Sequence, residues 1–272
     1  NRTGRWRWTT NFQFSWNKNK VIDLGANSTI FTGYANSTQV IEVGRPAGEF
    51  YLYYAVGVYE TAEDLKKYPT QTGSVVGSVR YRDISGPNGV PDGKITEADR
   101  VHMGHPQPSC TYGITNSFKY KNWTASFLIT AQTGGKIYGA LGRAFDRQGM
   151  GTSVNVLRKW KNMWFSESDP GDGHTPRAWG SGINEEYDSR WLYSSDFIKL
   201  KNVTLAYNWL MPKKAFISNV RLSASVENVF MIDSYDGGYS PESNNSTSRI
   251  SSYDYGAYPM ARTFNFGVNI QF

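Results

Sequence analysis

The stretch "WRWTTNFQFSW", Trp6 to Trp16, alternates aromatic and polar side chains. A period of two belongs to an extended strand whose successive side chains point to opposite faces. Trp6, Trp8, Phe12, Phe14 and Trp16 take one face; Arg5, Arg7, Thr9, Asn11, Gln13 and Ser15 take the other. A face with two arginines and no apolar residue is no core, so the aromatic face is the one that needs cover. The chain closes the same way in "FNFGVNIQF", with Phe264, Phe266, Val268 and Ile270 against Asn265, Asn269 and Gln271, and Phe272 last.

The pattern recurs between these ends. Tyr112, Ile114, Phe118 and Tyr120 form one row, a tight turn follows at Lys121-Asn122, and Trp123, Ala125, Phe127, Ile129 and Ala131 form the next. "FIKLKNVTLAYNWL" (197–210) and "NVRLSASVENVF" (219–230) add the rows Val203, Leu205, Tyr207, Trp209 and Val220, Leu222, Ala224, Val226. A closing strand runs from about Met260 to Phe272. The connections are 18–109, 121–122, about 139–195, 211–218 and 231–258, so long and short alternate. Compact domains rarely hold loops beyond about 15 residues. Outer-membrane barrels keep short turns on the periplasmic side and long loops outside, and a span of roughly 9–11 tilted residues crosses the apolar band.

Composition agrees. Aromatics make up 15% of 272 residues while the whole apolar fraction is 39%. A soluble sandwich draws its core from alternating inward residues of two sheets, mostly aliphatic; an aromatic-rich, otherwise polar chain suits a barrel with an apolar outer wall and a wet lumen. No run approaches the roughly 20 apolar residues of a membrane helix. Cys110 is the single cysteine, which excludes an internal disulfide. The net charge is +6, but the lysines and arginines are scattered, so no nucleic-acid partner is expected. Six strands cannot close even the smallest barrel of about eight, and open edges in lipid cost several kcal/mol per unpaired group. Further strands are therefore expected upstream, in keeping with a chain that opens inside a strand-like pattern without a signal peptide.

Five blocks carry a family resemblance: "VGRPAGEFYLYYAVGVYET" (43–61), "YRDISGPNGVPDGKITEADRVHMGHPQPSCTYGITNSFKYKNW" (81–123), "SSDFIKLKNVTLAYNW" (194–209), "ENVFMIDSYDGGYSPES" (227–243) and "YDYGAYPMARTFNFGVNIQF" (253–272). In order and over essentially the whole chain, they resemble the C-terminal third of SusC/RagA-type TonB-dependent outer-membrane transporters. The resemblance implies an all-β, antiparallel transmembrane β-barrel of about 22 strands, a size found in plugged transporters. Residues 1–272 would be its C-terminal segment of about six to eight strands, with long extracellular loops containing short helices, and with the plug and N-terminal domain absent. It also implies a multi-pass protein of the cell outer membrane that imports an oligosaccharide or a peptide. The implied partners are a SusD-like surface lipoprotein acting as a lid, TonB through the missing N-terminal region, the barrel-assembly machinery and outer-membrane lipid. Phe264, Phe266, Val268, Ile270 and Phe272 resemble the barrel-assembly signal.

Candidate chemistry sits in the loops. "DISGPNGVPDGKITEAD" (83–99) is similar to an acidic calcium loop. Family members show a compact version; here "PNGVP" is inserted, Asp92, Gly93, Ile95 and Asp99 keep their spacing, Asp83 falls out of register, and Asn88 stands in. No cofactor is expected beyond a structural calcium held by Asn88, Asp92 and Asp99, against the reading of a solvated turn. His102, His105 and His174 lack a third neighbouring ligand and read as ordinary loop histidines. Glu185, Glu186 and Asp188, with Asp233 and Asp236, supply carboxylates, but glycoside hydrolysis needs a defined pair about 5–9.5 Å apart, and no enzyme is expected. "SVNVLRKWKNMW" (153–164) reads as a short helix; its Trp160 and Trp164, with Trp179, are the candidate substrate-stacking rings, against the reading of loop packing. EFYLYYAVGVY (49–59) is expected as a strand of the extracellular excursion, with a further membrane span as the other possibility. The alternative to a transporter is a secreted all-β carbohydrate-binding or glycan-degrading domain, in which a second sheet would cover Trp6, Trp8, Phe264 and Phe266.

Overall fold

In this computed structural model, residues 2–3, 5–86, 88–146, 157–178, 186–212, 216–246 and 252–272 are described. A stub, β1 (Arg2–Thr3), pairs with the first long strand, β2 (Trp6–Trp16). The chain then leaves on an excursion holding β3 (Thr29–Thr32), β4 (Gln39–Glu42), β5 (Glu49–Tyr53), β6 (Ala55–Val58), α1 (Asp64–Lys67), β7 (Val79–Tyr81) and β8 (Arg100–His102). It returns as β9 (Cys110–Tyr120) and turns directly into β10 (Trp123–Thr133). Lys121 takes φ 49° there, the left-handed conformation that two-residue hairpin turns require.

The second excursion carries β11 (Lys136–Tyr138), α2 (Ala140–Asp146), 3-10 turns at Arg158–Asn162 and Ser189–Trp191, and β12 (Leu192–Ser194). β13 (Phe197–Leu210) and β14 (Asn219–Asp233) follow, and the last strand is β15 (Thr263–Gln271). One seven-stranded sheet runs β1-β2-β9-β10-β13-β14-β15, every neighbour antiparallel, so successive long strands lie side by side. The excursion strands form separate small sheets, β3-β4-β5-β8, β6-β7 and β11-β12. The 49–59 stretch is thus β5 and β6, outside the large sheet.

The helix read over 153–164 is corrected in part. Arg158–Asn162 form a 3-10 turn with non-helical residues at both flanks, Leu157 and Met163, while 153–156 lie outside the described residues. The closing strand begins at Thr263, three residues after the expected Met260. On β13, Lys201 is skipped in the pairing with β10, where Leu128 faces Asn202 and Ile129 faces Leu200. This bulge moves the apolar row from Val203, Leu205, Tyr207 and Trp209 to Ile198 and Leu200.

The buried core lies in the excursions. Phe50, Leu52, Tyr138, Ala140 and Trp191 are all at most 1% exposed and form one cluster, with Tyr34, Tyr187 and Tyr253 packed against it. A smaller cluster joins Tyr53, Val79, Tyr81 and Ile95. Three connections, 17–109, 134–196 and 234–262, contribute to the first cluster and so are bound into one cap at a single end of the sheet.

Candidate functional site

The aromatic rows of the large sheet carry no cover among the described residues. Trp16 is 64% exposed and Phe266 is 84% exposed, and Phe12, Phe14, Phe264 and Val268 are bare as well. The rings pack only sideways on their own sheet: Trp6 on Tyr120 at 4.6 Å between centroids, Trp123 on Tyr207 at 4.7 Å, Phe14 on Tyr112 at 5.3 Å. Among the described residues no second sheet covers this face as a sandwich core would require. From Trp6 to Trp16 the strand spans about 33 Å at roughly 3.3 Å per residue. Tilted by some 45°, that is about 23 Å of height, close to the roughly 25 Å apolar band of an outer-membrane barrel.

Two polar residues interrupt the aromatic face, and they face each other: Thr10 is in register with Asn116. Asn116 is buried, and its Oδ1 accepts from the Trp8 indole Nε1 at 2.9 Å and from the Thr10 hydroxyl at 2.7 Å. Polar groups on a surface that cannot count on water must satisfy one another. Sequence reading passed over both, because partners 106 positions apart become neighbours only through the β2–β9 register. Phe264, Phe266, Val268 and Ile270 form the outer row of β15, and Phe272 rests against Phe216 of the 211–218 turn, centroids 5.2 Å apart.

The opposite face is polar, and the cap reaches down onto it. The ammonium of Lys199, 5% exposed, pairs at 2.6 Å with Glu242 of the last long loop. Within the cap, Tyr34 touches Tyr138, Tyr187, Tyr253 and Tyr255, all with centroids within about 6 Å. Asp188 is fully buried, its carboxylate held by Arg190, which also lies over the Trp191 ring at 4.1 Å. Tyr81 hydroxyl donates to the same carboxylate at 3.2 Å.

The candidate stacking rings are buried within the second excursion. Trp160 is 6% and Trp164 9% exposed. The Trp164 indole donates to the Glu60 carbonyl at 2.9 Å, and Gly77 makes room for the ring, since a Cβ there would meet it at 2.5 Å. Neither ring offers a face to a sugar in this arrangement. Trp179 lies outside the described residues.

In the acidic loop, both oxygens of Asp99 are engaged. Oδ1 accepts from the Ile84 and Ser85 amides, and Oδ2 from the Thr96 amide and hydroxyl. Asp99 is fully buried and caps the 3-10 turn Glu97–Asp99, so its lone pairs are spent on the chain itself. Asp92 accepts from the Lys94 amide, Asp83 from the Gly93 amide, and Asn88 is an exposed turn residue. Among the described residues no group of three or more His, Cys, Asp or Glu could hold a metal ion.

The histidines are dispersed. His102 sits between Glu49 at 3.0 Å and Glu42 at 3.4 Å, with Tyr51 packed on its ring; burial pushes its pKa down, against the pull of the Glu49 carboxylate. His105 bonds the Gln107 carbonyl, and His174 donates its amide to Asp172. Glu185 lies outside the described residues. Glu186, its pKa raised by burial, neighbours an Asp188 already committed to Arg190, and Asp233 accepts the Tyr235 amide. Asp236 is exposed on the same loop.

No protein-family model matches the chain. TonB-dependent receptor P3 of Formosa agariphila is 30% identical over 97% of this chain and 27% of its own length. TonB-dependent receptor SusC of Bacteroides thetaiotaomicron is 23% identical over 97% of this chain and 24% of its own. The RagAB peptide importer in its open-open state superposes with a TM-score of 0.76 over 100% of this chain and 27% of that one, at 17% identity. The chain therefore spans about a quarter of the length of the curated relatives it matches. The bare aromatic sheet is a section of an antiparallel transmembrane β-barrel wall, and its excursions are the long loops of one end. In sequence over 97% of its length this stretch of barrel wall is similar to TonB-dependent receptors, SusC among them, and in fold it is similar to the RagAB importer.

Proposed function

We propose that the protein works in the outer membrane as part of a TonB-dependent importer that takes up a nutrient, an oligosaccharide or a peptide, together with a SusD-like surface lipoprotein as its lid. The observation that carries this reading is the uncovered aromatic face of the seven-stranded sheet, about 23 Å tall, in a chain alike over 97% of its length to a TonB-dependent receptor. In this reading the aromatic rows meet lipid, the polar face lines the lumen, and the cap meets the cargo and the lid. The protein moves cargo without altering it, so no residue here is asked to do chemistry. Energy from TonB would enter through a plug and N-terminal region beyond these residues. The row Phe264, Phe266, Val268, Ile270 and Phe272 is offered to the barrel-assembly machinery.

The decisive experiment disrupts the full-length gene in its own host and follows both location and growth. The expected results are a protein released from membranes only by detergent, with a folded form that runs faster on unheated gels, and loss of growth on one polymeric nutrient. A protein that stays soluble without detergent, or a disruptant that grows normally on every glycan and peptide source, refutes the proposal.

A further inference from the structure

Trp16 closes the aromatic row of β2 at the cap end, and a groove of about 270 Å³ opens beside its ring. Lys18 and Lys20, two and four residues on, line that groove with Pro46, His105 and Pro108. Both lysines are exposed, and no lining residue is an aspartate or a glutamate. Among the described residues no ion pair engages either ammonium. Glu42 and Glu49, which flank the 43–48 turn, are taken up by Arg45 and His102. The backbone that carries the lysines is tied on both sides. The Asn17 amide donates to the Ser109 carbonyl at 2.9 Å, the Val21 amide to the Arg45 carbonyl at 2.8 Å, and Asn19 Oδ1 accepts from the Ala47 amide at 2.8 Å.

Aromatic girdles mark the two edges of the apolar band, so Trp16, 64% exposed, stands at the outer edge once the aromatic face meets lipid. At a tilt of some 45°, two and four residues of extended chain rise roughly 5 and 9 Å, and the headgroup layer is roughly 5–8 Å deep. That sets the two ammonium groups at headgroup level. We infer that the groove beside Trp16 binds the anionic phosphate headgroup of an outer-leaflet lipid, with Lys18 and Lys20 as its cations and the Trp16 ring against the top of the lipid chains. Two observations choose a lipid over a free anionic cargo. The groove starts from a residue of the outer row, on the face turned away from the polar lumen, and is continuous with the lipid-facing wall. Two ammonium groups with no carboxylate among the lining residues complement a phosphate, which lysine holds as a point charge. The inference rests on the reading that the aromatic rows meet lipid, and adds to it a preferred lipid at a fixed place.

The test titrates the full-length protein in detergent with phosphatidylglycerol, or with phosphatidylcholine of the same chains, and counts bound lipid by native mass spectrometry. A basic residue near an anionic lipid surface is worth about fivefold in binding, so the pair should favour the first phosphatidylglycerol by about 25-fold. Each of Lys18→Gln and Lys20→Gln should lose about fivefold of that preference, the double variant should bring the two lipids level, and Lys18→Arg/Lys20→Arg should keep the preference. Arg7→Gln/Lys119→Gln, which removes two facing cations from the polar side of β2 and β9, should leave it unchanged. Every variant is checked for the fast-running folded band. Absence of the preference in a wild-type protein that needs detergent and shows that band overturns the inference and leaves the importer reading standing. So does a preference that survives Lys18→Gln/Lys20→Gln. Release of the phosphatidylglycerol by an equal concentration of inorganic phosphate also overturns it, because the groove would then take a free anion. A wild-type protein soluble without detergent fails the importer reading itself.

Discussion

Phe12→Arg, paired with Gln13→Arg one residue along β2, separates lipid from water as the medium over the aromatic face. Phe12 is 60% exposed near the middle of its strand and in register with Ile114; Gln13 points the other way, opposite Gly113. If hydrocarbon covers the ring, an arginine near the midplane costs about 2–4 kcal/mol. Losing the exposed three-fifths of the phenyl from an apolar medium adds about 1–2 kcal/mol, scaled from the roughly 1.5–3 kcal/mol of a full Phe side chain. The sum is about 3–6 kcal/mol for Phe12→Arg, against a change within about 0.5 kcal/mol for Gln13→Arg on the wet face. Reversible urea unfolding of the full-length protein in phospholipid vesicles, followed by tryptophan emission and by the folded band on unheated gels, measures both. Were water over this face, replacing an exposed phenyl would be nearly neutral. Equal, small effects of the two variants refute the reasoning.

Three further perturbations probe specific contacts. Asn116→Ala leaves the Trp8 indole N–H and the Thr10 hydroxyl without their shared acceptor, and should cost about 2–4 kcal/mol in the same unfolding assay; a loss under 0.5 kcal/mol would mean that water reaches the site. Glu242→Gln strands the buried Lys199 ammonium and should loosen the last long loop by about 2–4 kcal/mol, Lys199→Met should cost less because Glu242 is 24% exposed, and the double variant should recover most of the loss; hydrogen exchange across 234–246 reads it, and additive single effects would contradict the pairing. Burial pushes the Asp172 carboxyl up, but the Thr175 and His174 amides and the Thr175 hydroxyl pull it further down, to a net value below 3.8. Its contribution is therefore full above that value and lost as pH falls through the lower folded value, so protection of the His174 and Thr175 amides should be lost only below the ordinary carboxylate range and should not show that pH dependence in Asp172→Asn.

The wall was legible because its physics is written in single residues: most side chains on β2, β9, β10, β14 and β15 declare by their own polarity which medium they meet. The alternation of long and short connections then gave direction to the strands. Reading faltered where the third dimension intervenes. The switch of parity at Lys201 hid Ile198 and Leu200 from the apolar row, since a bulge leaves no mark in polarity alone. Thr10 and Asn116 went unread, because only register makes them partners. Trp160 and Trp164 gave no sign of the Glu60 carbonyl and Gly77 that enclose the latter, because a tryptophan in a loop is written alike whether it faces sugar or packs. The acidic loop shows the same limit: Asp99 had the spacing of a ligand, yet four donors from its own loop occupy it.

The cap, in turn, inverts the wall. Its core is closed by protein, so its stability should be separable from that of the barrel, and Trp191 is the place to divide them. That ring is fully buried, lies among Phe50, Leu52, Tyr138 and Ala140, and carries the guanidinium of Arg190 on its face at 4.1 Å and that of Arg143 at 5.5 Å. Trp191→Ala removes the largest side chain of the cluster and leaves a cavity that three long loops must share, a loss of about 3–5 kcal/mol. None of the wall's cross-strand pairs passes through Trp191, so the folded band and the urea midpoint of the barrel should stay at wild-type values. Exchange across 49–53, 136–140 and 252–255 should rise together, because the strands β5 and β11 and the Tyr253 segment all pack on the one cluster that this ring completes. Uptake should fall with the cap. A variant that melts wall and cap at one midpoint would show that the loops are held up by the barrel and not by their own core, and the division of this chain between two media would have to be redrawn.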